Sequence, residues 1–154
     1  MVLALLLLCA GDPVEIGVHR TPGKPAAYYV DNKPAEEIVA KKDGEKILLC
    51  VRVNIHRNPL QGYTEKTAPL TAEEWKSILD LVAREKLLDW APKEEEGQVA
   101  DWGSSGFRIK GDKENAPTWT RPIRNGDPPA ALSKRLAALA KEKVKDLPLH
   151  YFAS

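Results

Sequence analysis

The run Ile47-Leu48-Leu49-Cys50-Val51-Arg52-Val53-Asn54-Ile55-His56 limits what this chain can fold into more than any other stretch. Successive side chains of a strand point to opposite faces. Ile47, Leu49, Val51, Val53 and Ile55 therefore form one continuous apolar face. Leu48, Cys50, Arg52, Asn54 and His56 form the other, which grows more polar along the strand. Such a segment needs a core on one side and can leave the other side open, as strands of antiparallel sheets do. It reads as the central strand of the fold.

Other segments fall into place around it. Val14, Ile16 and Val18 alternate with Glu15, Gly17 and His19, the pattern of a half-buried strand. Ala26 to Val30 is a short strand candidate, and Glu37 to Lys41 leads through Asp43-Gly44 into the central strand as a hairpin. Arg57 to Leu70, with Pro59, Gly62 and Pro69, reads as a long connection. Thr71 and Glu74 have capping-box spacing, and Leu70 and Trp75 occupy the two positions of a hydrophobic staple. Trp75, Ile78, Leu79 and Val82 continue at helical spacing. Gly103-Ser104-Ser105-Gly106 reads as a flexible turn, Gly106 to Lys110 as a strand with Phe107 and Ile109 inward, and Pro117 to Ile123 as its return. Asp127 and Pro128 open a second helix with Leu132, Leu136, Leu139 and Ala140 as its stripe, and Pro148 stops it. Strands in hairpins plus two amphipathic helices predict a single two-layer α+β domain over residues 12–154, its mainly antiparallel sheet covered on one face by both helices.

Residues 1–11 read as a leader. The run Val2 to Leu8 is too short to span a bilayer, which takes about 20 apolar residues. It has the length of a signal-peptide core and is followed by Cys9, Ala10 and Gly11, although no basic segment precedes it. Export is the expectation, to the periplasm, the exterior or a membrane-anchored state. Contact with a membrane would come only through the leader or a lipid on Cys9, and the general look is that of a small exported bacterial protein. Cys9 and Cys50 are the two cysteines; loss of Cys9 with the leader would leave Cys50 without an internal partner. A formal net charge of +1 argues against a nucleic-acid binder, which carries a basic stripe. The local excess at Lys134, Arg135, Lys141, Lys143 and Lys145 sits toward the end of the second helix, where cations complement the helix dipole.

Tests for chemistry single out no catalytic set. His19, His56 and His150 lack the paired spacing of a zinc site, and no cofactor motif is present. Cys50 and His56 share a strand face, but six extended residues separate them by about 20 Å, far beyond the hydrogen-bond reach that a nucleophile and its base require. Gly103 to Gly106 is one residue short of a nucleophile elbow. Glu73 and Glu74 at one helix start, and Asp127 and Pro128 at the other, oppose anion binding there. Trp75 and Trp119 fit the core, while Trp90 and Trp102 fit a cover for the sheet edge better than a stacking platform.

The expected function is that of a small exported, non-catalytic domain that binds a protein or a cell-envelope polymer. Its candidate surface is the open sheet face, bearing His19, Arg52, Asn54, His56, Arg108 and Lys110. A small hydrolase with residues converging on the Cys50 face is one alternative. The other is a cytoplasmic interaction domain whose first strand is the leucine run.

Overall fold

A computed structural model of the chain describes residues 13–21, 36–53, 63–90, 104–111, 118–119, 126–147, 149 and 152. The expected strand at 26–30, the leader, Asn54, His56, Trp102 and His150 lie outside the described residues. In chain order the elements are β1 (Pro13–Thr21), β2 (Glu36–Asp43), β3 (Lys46–Val53), β4 (Thr64–Pro69), α1 (Ala72–Arg84), β5 (Ser104–Gly111), β6 (Thr118–Trp119) and α2 (Pro128–Lys143). All pairings are antiparallel, and the strand order is β4-β3-β2-β1-β5-β6. The first four strands form a meander. After α1 the chain returns on the far side of β1. This is an α+β fold with one antiparallel sheet and two helices on one side of it.

Ile16, Val18, Ile38, Ala40, Leu49, Val51, Phe107 and Ile109 share the inward side and are each at most 1% exposed. They form one cluster with Trp75, Ile78, Leu81 and Val82 of α1 and Leu132, Leu136, Leu139 and Ala140 of α2. The parity expected of β3 holds, since Ile47, Leu49, Val51 and Val53 are buried and Leu48, Cys50 and Arg52 are not. Its position is corrected. β3 lies second from an edge, and β2 and β1 occupy the middle of the sheet. The edge beside β3 belongs to β4, within the segment read as a connection. Thr-Glu-Lys-Thr-Ala-Pro has no apolar alternation because an edge strand supports little core. Its Lys66 and Pro69 are residue types that guard exposed edges against further pairing. Ser104 and Ser105, read as part of a turn, instead begin β5.

The β2–β3 hairpin follows from glycine. Asp43 pairs with Lys46 across a two-residue loop, and Gly44 has φ 61°. Among the described residues Glu45 is not in the left-handed region, so the turn has the II′ form, with glycine first of the two central positions.

Helix α1 has the expected capping box: Thr71 Oγ1 accepts from the Glu74 N–H at 3.1 Å, and Glu74 Oε1 accepts from the Thr71 N–H at 2.9 Å. Leu70 and Trp75 are both buried, as a staple requires. Within the stripe, Leu81 is buried and Leu79 is only half-buried. The helix ends in a Schellman motif. Lys86 N–H donates to Ala83 O at 3.1 Å, and Leu87 N–H donates to Val82 O at 3.0 Å. Leu87 and Val82 supply its apolar contact, being 0% and 1% exposed. The left-handed position, usually glycine, is Lys86 at φ 51°.

Asp127 stands at the N-cap of α2, yet its side chain makes no cap hydrogen bond. Pro128 and Pro129 have no N–H to offer, and the Ala130 N–H donates to the Asp127 carbonyl at 2.9 Å. The two helices run antiparallel. Lys143 Nζ lies 2.8 Å from Glu74 Oε1, and Arg135 Nη2 donates to Ser77 Oγ at 3.1 Å. Partial burial alone would raise the Glu74 carboxyl, but the bonds from Lys143 and Thr71 outweigh it and hold the pKa below the usual value. The lysine excess at the end of α2 thus serves the helix pair as well as the dipole.

Replacing Lys86 by glycine is expected to raise stability by about 0.5–1 kcal/mol, because relief of left-handed strain outweighs the added freedom of the unfolded chain. A urea titration should show a higher midpoint with an unchanged slope. Leu136→Ala is expected to cost about 2–5 kcal/mol by the same measurement, as for other fully buried leucines.

Candidate functional site

The second face of the sheet carries the polar residues. Strand register fixes which of them meet. Glu65, Arg52, Glu37, His19 and Gly106 form one row across five strands. Thr67, Cys50, Val39, Gly17, Arg108 and Thr118 form the next. Leu48, Lys41, Glu15 and Lys110 follow in a third. His19, Arg52, Arg108 and Lys110 therefore do share one face. Asn54 and His56 lie outside the described residues.

What sequence reading missed is the set of carboxylates between them. Arg108 Nη2 lies 2.6 Å from Glu15 Oε1 and 2.9 Å from Glu37 Oε1. Its guanidinium thus joins β5 to both β1 and β2. Gly17 makes the crossing possible, since it lies directly between Arg108 and Val39 in the row and has no side chain to occupy the path. A Cβ on Gly17 would come within 2.9 Å of Val39 Cγ2 and 3.3 Å of the Ile38 carbonyl oxygen. Val39 is 2% exposed although it lies on the face away from the core cluster. The strand signal of β1 identifies Gly17 only as an outward residue. Its role as a passage depends on register, which no local pattern specifies.

Arg52 is held in a similar way. Its Nε lies 3.2 Å from Glu65 Oε2, and its guanidinium carbon sits 4.9 Å from the Tyr63 ring centroid. The Nε contact is an ion pair without hydrogen-bond alignment, and Arg108 Nε also has no hydrogen-bond acceptor. Buried donors of this kind are uncommon in folded proteins. Lys41 and Lys110 differ from the two arginines: both are exposed, and they flank Glu15. The face is therefore a lattice of paired charges with exposed lysines, Lys41, Lys46 and Lys110, toward one side. It is not an open basic patch.

Two titratable groups on this face are shifted. Burial is the main cause that pushes the His19 pKa down; Glu37 opposes the shift and Arg108 adds to it. The imidazole beside Glu37 is thus kept neutral more strongly than an exposed histidine. Burial likewise pushes the Cys50 thiol up; Lys41 opposes this, while Glu65, Glu15 and Glu37 reinforce it. A raised thiol holds little thiolate, the reactive form. His19, the sole described histidine, lies two strands and two residues from Cys50, about 12 Å by strand spacing and rise. Among the described residues nothing serves Cys50 as a base, and no group of three His, Cys, Asp or Glu side chains could hold a metal ion. No described helix is long and apolar enough to cross a membrane. Trp90 packs against Phe107 with ring centroids 5.7 Å apart and covers the core.

Family models, curated proteins and solved structures contain no match to the chain.

Gly17→Ala is expected to destabilise the fold by about 1–3 kcal/mol through overpacking against Val39. Chemical denaturation measures that loss. The His19 shift sets a second expectation. Its folded pKa lies below the ordinary 6.5, so the unfolded chain takes up a proton that the folded chain resists. Stability from neutral His19 is full above that value and declines as pH falls through it toward the folded pKa. His19→Gln should flatten the dependence of Tm on pH between about 7 and about 5, where histidine alone among unperturbed side chains titrates.

Proposed function

We propose that this chain is a small non-catalytic domain that binds a protein or cell-envelope partner through the sheet face not covered by its helices. The observation that carries the reading is the division of the sheet. Both helices pack on one side, in a single core cluster from which every outward residue of the strands is absent. The other side presents arginines already fixed by carboxylates, next to the exposed Lys41 and Lys110. Fixed side chains lose little freedom on association, and that lowers the cost of binding. Exposed rim lysines steer an acidic partner more than they hold it. On this reading Arg52 and Arg108 shape the surface, while Lys41 and Lys110 recognise the charge of the partner. The leucine-rich stretch at residues 2–8 supports an exported location.

Site-specific photo-crosslinking in cells tests the proposal. A crosslinker at Lys46 or Thr67, on the uncovered face, should capture one discrete partner, and one at Glu142 on α2 should not. Lys41→Glu with Lys110→Glu should reduce that capture at least tenfold, and Lys41→Gln with Lys110→Gln, which puts no like charge opposite Glu15, should weaken it with Tm little changed. Equal capture from both sides, or capture unaffected by the lysine reversals, would reject this face as the contact surface. A reporter fused after residue 21 that remains inside the cell would remove the exported location.

A further inference from the structure

A cleft of about 370 Å³ opens between the start of β1, the tip of the β2–β3 hairpin and the outer flank of α1. Val14, Trp75 and Leu79 give it apolar walls, and Gly44 contributes backbone without a side chain at the hairpin tip. Lys42 and Lys76 also line it. We propose that this cleft binds a small amphiphilic anion, an alkyl chain that ends in a single carboxylate. The site lies on the helix side of the sheet and is independent of the surface proposed above.

Three observations converge on that chemistry. Leu79 follows Trp75 by one helical turn, on the stripe that faces the core, yet Trp75 is 4% exposed and Leu79 remains half-buried. The apolar surface of α1 therefore continues past the core and into the cleft. Lys42 has the inward parity of Ile38 and Ala40 and stands opposite Ile47, so a cation occupies the apolar side of the sheet just where the cleft opens. Neither Lys42 nor Lys76 has an ion-pair partner among the described residues, whereas Arg52, Lys66, Arg84, Arg108 and Lys143 each have a carboxylate. Two ammonium groups without an ion-pair partner among the described residues, beside an apolar wall, suit a ligand with one negative end. Lysine meets such a group as a mobile point charge and does not impose the bidentate geometry of arginine. The volume falls in the range of about 300–1,000 Å³ typical of small-molecule sites, and a medium-length alkyl chain fits it better than a folded partner.

Decanoate, kept below its micelle-forming concentration, is the probe, and amide shifts in nitrogen-15 spectra are the readout. Saturable shifts are expected at Val14, Gly44, Lys76 and Leu79. Decanol, with the same chain and no charge, should bind at least tenfold more weakly. Lys42→Gln with Lys76→Gln should weaken decanoate by tenfold or more and leave Tm unchanged. Leu79→Gln should weaken both probes, because it removes the wall they share. Shifts scattered over the surface, equal binding of decanol and decanoate, or a double lysine variant that binds normally would each overturn the proposal.

Discussion

Burial of Ile16, Ile38, Leu49 and Val51 on a single side of the sheet is the interaction on which the rest of the structure depends. Each such side chain contributes roughly 1.5–3 kcal/mol when removed from water. A twisted antiparallel sheet cannot shield that surface alone, so the helices must cover it. Their own stripes are aligned to do so, and the devices at their ends keep them in place. The Thr71–Glu74 box, the turn at Lys86 and the Lys143–Glu74 contact each concern groups at or near a helix end. Glu74 answers two demands at once. It satisfies the first turn of α1 and holds the last turn of α2.

The opposite face works under a different constraint. Ion pairs there are partly shielded from water, with the Glu37 side chain 11% exposed and Glu15 19% exposed. Charge pairs in such surroundings gain attraction and lose hydration in similar measure, so their net contribution to stability is modest. Their geometric effect is larger. A one-residue slip of β5 would carry Arg108 to the core side and leave Glu15 and Glu37 without their common cation. The Arg108 bridge therefore penalises wrong registers among three strands that are distant in sequence.

Much of this was legible from local pattern. The parity of β3, the stripe of α2, the capping box and the strand at Phe107 all follow from period and cap chemistry, which are properties of a few adjacent residues. β4 was not legible, because Thr64, Lys66 and Ala68 point inward at an edge where little burial is demanded. The central place given to β3 failed for another reason, since strand order is set by long-range pairing: β1, β5 and β6 all lie beyond β2, which leaves β3 second from an edge. On the candidate face, four residues were correctly placed together by alternation alone. The carboxylates that pair with the arginines were not found, because Glu15, Glu37 and Glu65 meet them only through register across separate strands. Leu79 illustrates a further limit: helical spacing identifies a side but cannot say how far the neighbouring element extends over it.

At the start of β2, Glu36 lies on the core side at 1% exposure, and one of its carboxylate oxygens accepts the backbone N–H of Phe152 at 3.2 Å. Phe152 in turn lies beneath the Arg20 guanidinium, whose carbon is 5.9 Å from the ring centroid. Phe152 follows Glu36 by 116 residues. At synthesis rates of about 5–20 residues per second, β2 waits on the order of 6–23 seconds for this donor. Until then the carboxylate lacks this one contact, although the finished fold gives it a further partner as well. A chain interrupted before Phe152 would retain most of its apolar core but leave a polar group short of a contact inside it. Completion of this end of the sheet therefore depends on a residue made 116 positions later in the chain.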